Sequence, residues 1–219
     1  MTRSLRPLQF DHNASTPVDA AVLQEMLPFL AERAGNPSSA HSAGREARVA
    51  VERARARVAG VVGARPDQVV LTGGGTEANN LAVLGAARAA APRGRHVLAS
   101  AVEHASVLGP CARLREEGFD VEVLPVDRDG RVDPDRVAGA VRRDTTLLCV
   151  MAANNETGAL QPVLEILRLL PDGVLLHCDA TQLPGKVPLG EVVRAAHLVT
   201  LSSHKVHGPK GAGALVVRA

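Results

Sequence analysis

Lysine is scarce in this chain, and arginine supplies most of its positive charge. One lysine nonetheless stands where reactive groups gather. The stretch "LVTLSSHKVHGPKGAGALVV", residues 198–217, passes from an apolar run into Ser202-Ser203-His204-Lys205. A glycine-rich turn and a second apolar run follow. A lysine partly withdrawn from water loses preference for its charged form and becomes a nucleophilic amine. Asp179 closes the run VLLHCD, where a carboxylate meets low dielectric and needs a cation or several donors. Gly73-Gly74-Gly75-Thr76-Glu77 opens a helical pattern, and glycines before a helix N-terminus suit a phosphate. The Gly-Lys-Ser/Thr ending of a P-loop and the G-x-G-x-x-G spacing are both missing, so a plain capped turn fits that stretch equally well. Glu103-His104, Asn154-Asn155-Glu156-Thr157-Gly158 and Asp179-Ala180-Thr181-Gln182 each follow or close an apolar run. Each also has a plain reading: His104 as a helix cap, Asn155 as a turn former, Asp179 as the partner of an arginine.

The elements that must position these groups alternate. Strand candidates are Val69–Thr72, His96–Ser100, Val121–Pro125, Thr146–Ala152, Val174–Asp179, Leu198–Ser202 and Ala212–Arg218. Their Val, Leu and Ile content shows little polar alternation, as in strands buried on both faces. Helical patterns lie between most of them: Thr76–Ala91, His104–Glu117, Asp133–Arg142 and Pro162–Leu170. Such alternation predicts an α/β sheet, mostly parallel, with helices on both faces. The last two candidates are joined only by the turn 207–213, too short for a parallel crossover. The final strand therefore runs antiparallel or is not a neighbour of the one before. The chain stops directly after it, an exposed place for a strand. Ahead of the sheet, Asp19–Leu30 carries an apolar stripe, and Ser42–Val62 reads as a longer helix with a solvated, charged face. In an open sheet of this class, ligands bind beyond the carboxyl ends of the strands, which is where the polar groups fall.

The 219 residues are 46% hydrophobic and 22% charged, enough for one sizeable core. A net charge of +2 gives no electrostatic case for nucleic acid or an anionic membrane. No apolar stretch approaches a membrane span, and the N-terminus lacks the apolar middle of a secretory signal, so a cytoplasmic protein is expected. Cys111, Cys149 and Cys178 follow no metal-ligand spacing, and no metal site is expected.

One ligand uses these features together. Pyridoxal 5'-phosphate has an aldehyde for a lysine, a phosphate for a helix N-terminus, and a ring nitrogen that a buried carboxylate keeps protonated. A histidine could stack on its ring, and an amide could reach its phenolic oxygen.

The order of motifs resembles cysteine desulfurases of the NifS/IscS type, which are class V aminotransferase-like, fold-type I enzymes. The pieces are "DHNASTPVD", "GNPSSAHSAGREAR", "LTGGGTEANNLA", "AVEHASV", "NNETGALQPV", "HCDATQLPGK" and "SSHKVHGPKGAGAL", spread over nearly the whole chain. The resemblance implies a three-layer α/β/α large domain, with a mostly parallel seven-stranded sheet whose last strand is antiparallel. It implies that Lys205 carries the cofactor covalently and that Asp179 faces the ring nitrogen. His104 would stack on the ring and help move protons. Gln182 and Asn155 would lie near the phenolic oxygen, and Gly75, Thr76, Ser202 and His204 would hold the phosphate. Asn13, Ala14 and Ser15 would line the substrate entrance. His207 and Lys210 match turn-shaping positions. Residues 1–35 would form an N-terminal segment and helix that pack on a small domain, with the cofactor-binding domain at 36–219.

The resemblance further implies L-cysteine as substrate, alanine as product, and sulfur passed as a persulfide to an acceptor or scaffold protein, for iron–sulfur clusters or other uses. The family's persulfide cysteine, its substrate-carboxylate arginine and most of its small domain lie beyond the matched motifs. None of the three cysteines here matches that nucleophile. The chain is thus expected to be a large domain without its C-terminal portion, a homodimer once completed, and poorly active alone. A selenocysteine lyase, another class V enzyme, or a non-catalytic binding module are the competing readings.

Overall fold

A computed structural model describes residues 8–218. Residues 1–7, the start of the segment assigned to 1–35, lie outside the described residues. Seven strands form one sheet: β1 (Val69–Thr72), β2 (His96–Ser100), β3 (Asp120–Leu124), β4 (Thr145–Cys149), β5 (Leu175–Asp179), β6 (Leu198–Ser202) and β7 (Gly213–Val217). Their order across the sheet is β1-β7-β6-β5-β4-β2-β3. β7 is antiparallel to both its neighbours, and every other pairing is parallel. The short 207–213 link thus makes an antiparallel return, one of the two outcomes the sequence left open. The expected exposure of the last strand is not found. β7 sits inside the sheet, and the edges are β1 and β3.

Period-two alternation divides the inner strands between two cores. Val97 and Ala99 of β2 pack on one face with Ala78, Val83 and Ala87 of α3 (Gly75–Ala90) and Val107 and Leu114 of α4 (Ala105–Glu116). Leu98, between them in sequence, packs on the other face with Ala59 and Val62 of α2 (Ser42–Val62). That face also holds Val137 of α5 (Pro134–Ala140), Ile166 of α6 (Val163–Leu169) and Val193 of α7 (Gly190–Ala195). The expected three-layer α/β/α arrangement is therefore present. α7 was not anticipated. It has only six residues, too few to show a helical period. α1 (Ala20–Ala31) carries the predicted stripe, yet none of its residues is buried, and Leu23, Leu27 and Leu30 face solvent.

Strand direction decides where polar groups collect. β1, β2, β4, β5 and β6 all point the same way, so the segments after them open on one edge of the sheet. The turn after β1 is made by glycine for two reasons. Gly74 has φ +151°, which side chains disfavour, and a Cβ on Gly213 of β7 would come within 2.6 Å of the Gly74 backbone.

Candidate active site

A cavity of about 920 Å³ opens on that edge. After β1, Gly73, Gly74, Gly75 and Thr76 form one wall. Gly74 supplies no side-chain cap to α3, so the amides of the first turn remain available to a ligand. A Cβ at Gly75 would stand 3.1 Å from the Thr181 methyl and 3.3 Å from Ser202 Cβ. The glycine leaves that space clear. Beside it, Ser202 Oγ is buried and has no hydrogen-bond partner among the described residues. An unpaired buried hydroxyl beside free helix amides is what an anion would satisfy. His204 lines the same wall, and its Nδ1 is 3.3 Å from Ser15 Oγ. Burial, then the charges of Lys205 and Lys210, lower its pKa.

Asp179, at the end of β5, is 4% exposed. Its Oδ1 accepts from the Thr181 N–H at 3.0 Å, and its Oδ2 accepts from Asn79 Nδ2 at 2.7 Å. No arginine pairs with it among the described residues, which removes the plain reading of that carboxylate. His104 does cap a helix: its Nδ1 accepts from the Ser106 N–H at 3.1 Å, at the start of α4. It also lines the cavity, so capping the helix does not remove it from the site. Asn155 and Gln182 also line the cavity.

Lys205 is half-buried on the cavity wall. Its Nζ donates to the carbonyls of Asn13 at 2.5 Å and Ala14 at 3.0 Å. Burial lowers its pKa, against the opposing charges of Asp179 and Asp11. A larger share of free amine is present near neutrality than for an exposed lysine. The N-terminal segment is pinned across this amine. Thr16, through its N–H and its hydroxyl, donates twice to the His204 carbonyl at 2.9 Å, and its hydroxyl accepts from the His207 N–H at 2.7 Å. Ala14 and Ser15 thereby line the cavity. Asn13 contributes through its carbonyl, which also accepts from Gln182 Nε2 at 3.0 Å.

Several residues escaped the sequence reading. Asn79 lies one helical turn past Gly75, on the face of α3 that returns to the cavity, and that spacing was a usable signal. Ser106, Thr181 and Met151 also line the cavity. Lys186 donates to Gln182 Oε1 and, at 2.8 Å, to Asn13 Oδ1. Lys210, expected only to shape a turn, reaches the cavity rim. Cys111, Cys149 and Cys178 are buried, and none lines the cavity.

The fold and this cavity define a class. The family model for aminotransferase class-V matches residues 8–219, and the chain belongs to that family. Among its relatives is cysteine desulfurase IscS of Dictyoglomus turgidum, 44% identical over 214 residues, which cover 97% of this chain and 54% of that protein. A solved NifS-like protein superposes with a TM-score of 0.92 at 39% identity, over 95% of this chain and 58% of the other. The structure of SspA in complex with cysteine gives 0.90 at 38% identity, over 95% and 60%. The chain spans about half the length of the curated relatives it matches.

Among the described residues, no helix is long and apolar enough to cross a membrane, and no group of three or more His, Cys, Asp or Glu is placed to hold a metal ion.

Proposed function

We propose that this chain is the cofactor-binding large domain of a cysteine desulfurase. The observation that carries the reading is that Lys205, Asp179 and the unpaired Ser202 hydroxyl open on one cavity beside the α3 N-terminus. The residues fit pyridoxal phosphate: Gly75, Thr76, Ser202 and His204 for its phosphate, Asp179 for its ring nitrogen, and Gln182 and Asn155 for its phenolic oxygen. Bound there, the cofactor supplies an aldehyde for covalent attachment and a ring able to take up electron density.

The protein's part is to place and to poise. The lowered pKa of Lys205 raises the share of free amine that can act as nucleophile and as proton carrier. Asp179, its two oxygens each held by a donor, would face the ring nitrogen of the bound cofactor. Lys186 donates to Gln182 Oε1, which fixes the amide with Nε2 as its donor end; one Nε2 hydrogen goes to the Asn13 carbonyl and the second is left for the site. L-cysteine as substrate is supported by the relatives' names and by a related structure solved with cysteine. The three cysteines of this chain are buried away from the cavity, so the thiol that takes the sulfur is supplied by another segment or molecule. Leu23, Leu27 and Leu30 on α1 support the assignment of residues 1–35 as a unit that packs on a smaller domain, within a homodimer.

Titration of the purified chain with pyridoxal phosphate tests the reading. A new visible absorption, saturating at one cofactor per chain and perturbed by L-cysteine, is the expected result. Absence of any saturable change would overturn the assignment.

A further inference from the structure

The geometry points to Asn79 and Ser106 as positioning residues that hold His104 with its proton on Nε2, so that His104 meets the cavity as a hydrogen-bond donor and not as a base. The inference concerns the site described above, and its use in catalysis rests on the proposed cofactor reading.

The direction of each hydrogen bond can be deduced in turn. Asn79 is 1% exposed. Its Nδ2 lies 2.7 Å from Asp179 Oδ2 and 2.8 Å from Ser106 Oγ. A reversed amide would set Oδ1 against a carboxylate oxygen, two acceptors with no proton between them. The NH2 group therefore faces both partners, and both of its hydrogens are used. Its own Oδ1 is left buried without a partner among the described residues. Such an orphan is disfavoured, so the arrangement reflects the demand of its neighbours.

Ser106 Oγ thus receives a hydrogen from Asn79. Its own single hydrogen is free for another acceptor, and His104 Nδ1 stands 2.7 Å away. The Ser106 N–H donates to the same Nδ1 at 3.1 Å, and a backbone amide cannot reverse its role. Two donors aimed at Nδ1 leave no place there for a proton. A neutral imidazole carries its proton on one nitrogen only, so it sits on Nε2. A nitrogen that already holds a proton cannot take another. Within the pair His104 and Lys205, proton acceptance in the cavity then falls to the Lys205 amine. One chain of contacts, Asp179–Asn79–Ser106–His104, fixes both the carboxylate and the imidazole. A change at Asn79 disturbs the two together.

The test uses the 15N-labelled protein without added cofactor, at a pH well above the usual histidine range. Long-range 1H–15N correlation spectra report which ring nitrogen carries the proton. The chain has eight histidines, and the His104 signals are those lost in His104→Gln. Expected is a single Nε2–H tautomer for His104, with Nδ1 showing the shift of a hydrogen-bond acceptor. Ser106→Ala and Asn79→Ala should each raise the Nδ1–H share from undetectable to a measurable fraction, while Ser106→Thr, which keeps the hydroxyl, retains the wild-type pattern. A merely structural role would lower the melting temperature of these variants without moving the ring nitrogens. A proton on Nδ1 in the wild type, or Ser106→Ala spectra identical to wild type, would overturn the inference. If Asn79→Ala does not fold, the wild type and the Ser106 variants still decide. Because no cofactor is present, failure to take up pyridoxal phosphate in the separate titration bears only on the proposed function.

Discussion

Glu103→Gln is expected to abolish a pH-dependent loss of stability worth about 3 kcal/mol. Glu103 is 6% exposed and sits next to His104 in sequence. Its Oε1 accepts from Ser100 Oγ and from the Met151 N–H, both at 2.6 Å. Its Oε2 is buried with no partner among the described residues. Burial raises its pKa from 4.5 to about 7, against those two hydrogen bonds and with a further push from the Asp179 charge. Between these values the folded protein holds a proton that the unfolded chain has released. Stability therefore falls as pH rises from about 4.5 to 7 and levels off above. Glutamine keeps the acceptor for Ser100 and Met151 and has no charge to form. Urea unfolding of wild type and variant at several pH values supplies the check. The difference in unfolding free energy should move towards the variant by about 3 kcal/mol across that window. Taking the difference cancels the opposite slope of His177, which burial holds at about 4, so that its share of stability is lost as pH falls. A difference that stays flat with pH would show that Glu103 ionises freely in the fold.

Asp179→Ala should weaken pyridoxal phosphate binding about ten- to a hundredfold, the worth of a charge-assisted hydrogen bond of about 1.5–3 kcal/mol. The loss has two sources. The ring nitrogen loses its counter-charge, and Asn79 Nδ2 loses the acceptor that orients it. Asp179→Asn should rescue little. The Thr181 N–H donates to Oδ1 and Asn79 Nδ2 to Oδ2, so whichever oxygen position becomes NH2 meets a donor head-on. Equilibrium dialysis of the three proteins measures this, and an unchanged dissociation constant for the alanine variant would remove Asp179 from the site.

The two contributions of sequence and structure divide along physical lines. Lys205, Asp179 and the Gly73–Thr76 turn were legible because each sets an unusual residue type against an apolar run, and the strand-end rule gathers such residues on one edge. The antiparallel return of β7 was legible because a short link forbids a crossover. Its place inside the sheet was not, since strand order depends on long-range pairing that no local pattern records. Asn79, Ser106 and Lys186 were missed for a related reason. Each is an ordinary polar residue on or beside a helix, and its role follows only from which neighbour it touches across the fold. His104 shows the limit of choosing between readings, because the ring nitrogen that caps α4 leaves the other nitrogen for the cavity.

Borohydride reduction of the chain incubated with pyridoxal phosphate, followed by peptide mapping, meets the central claim most directly. The account predicts one pyridoxyl group per chain, carried on the peptide that contains Lys205, and none on Lys186 or Lys210. A label spread among the lysines, or absent from Lys205, would contradict it.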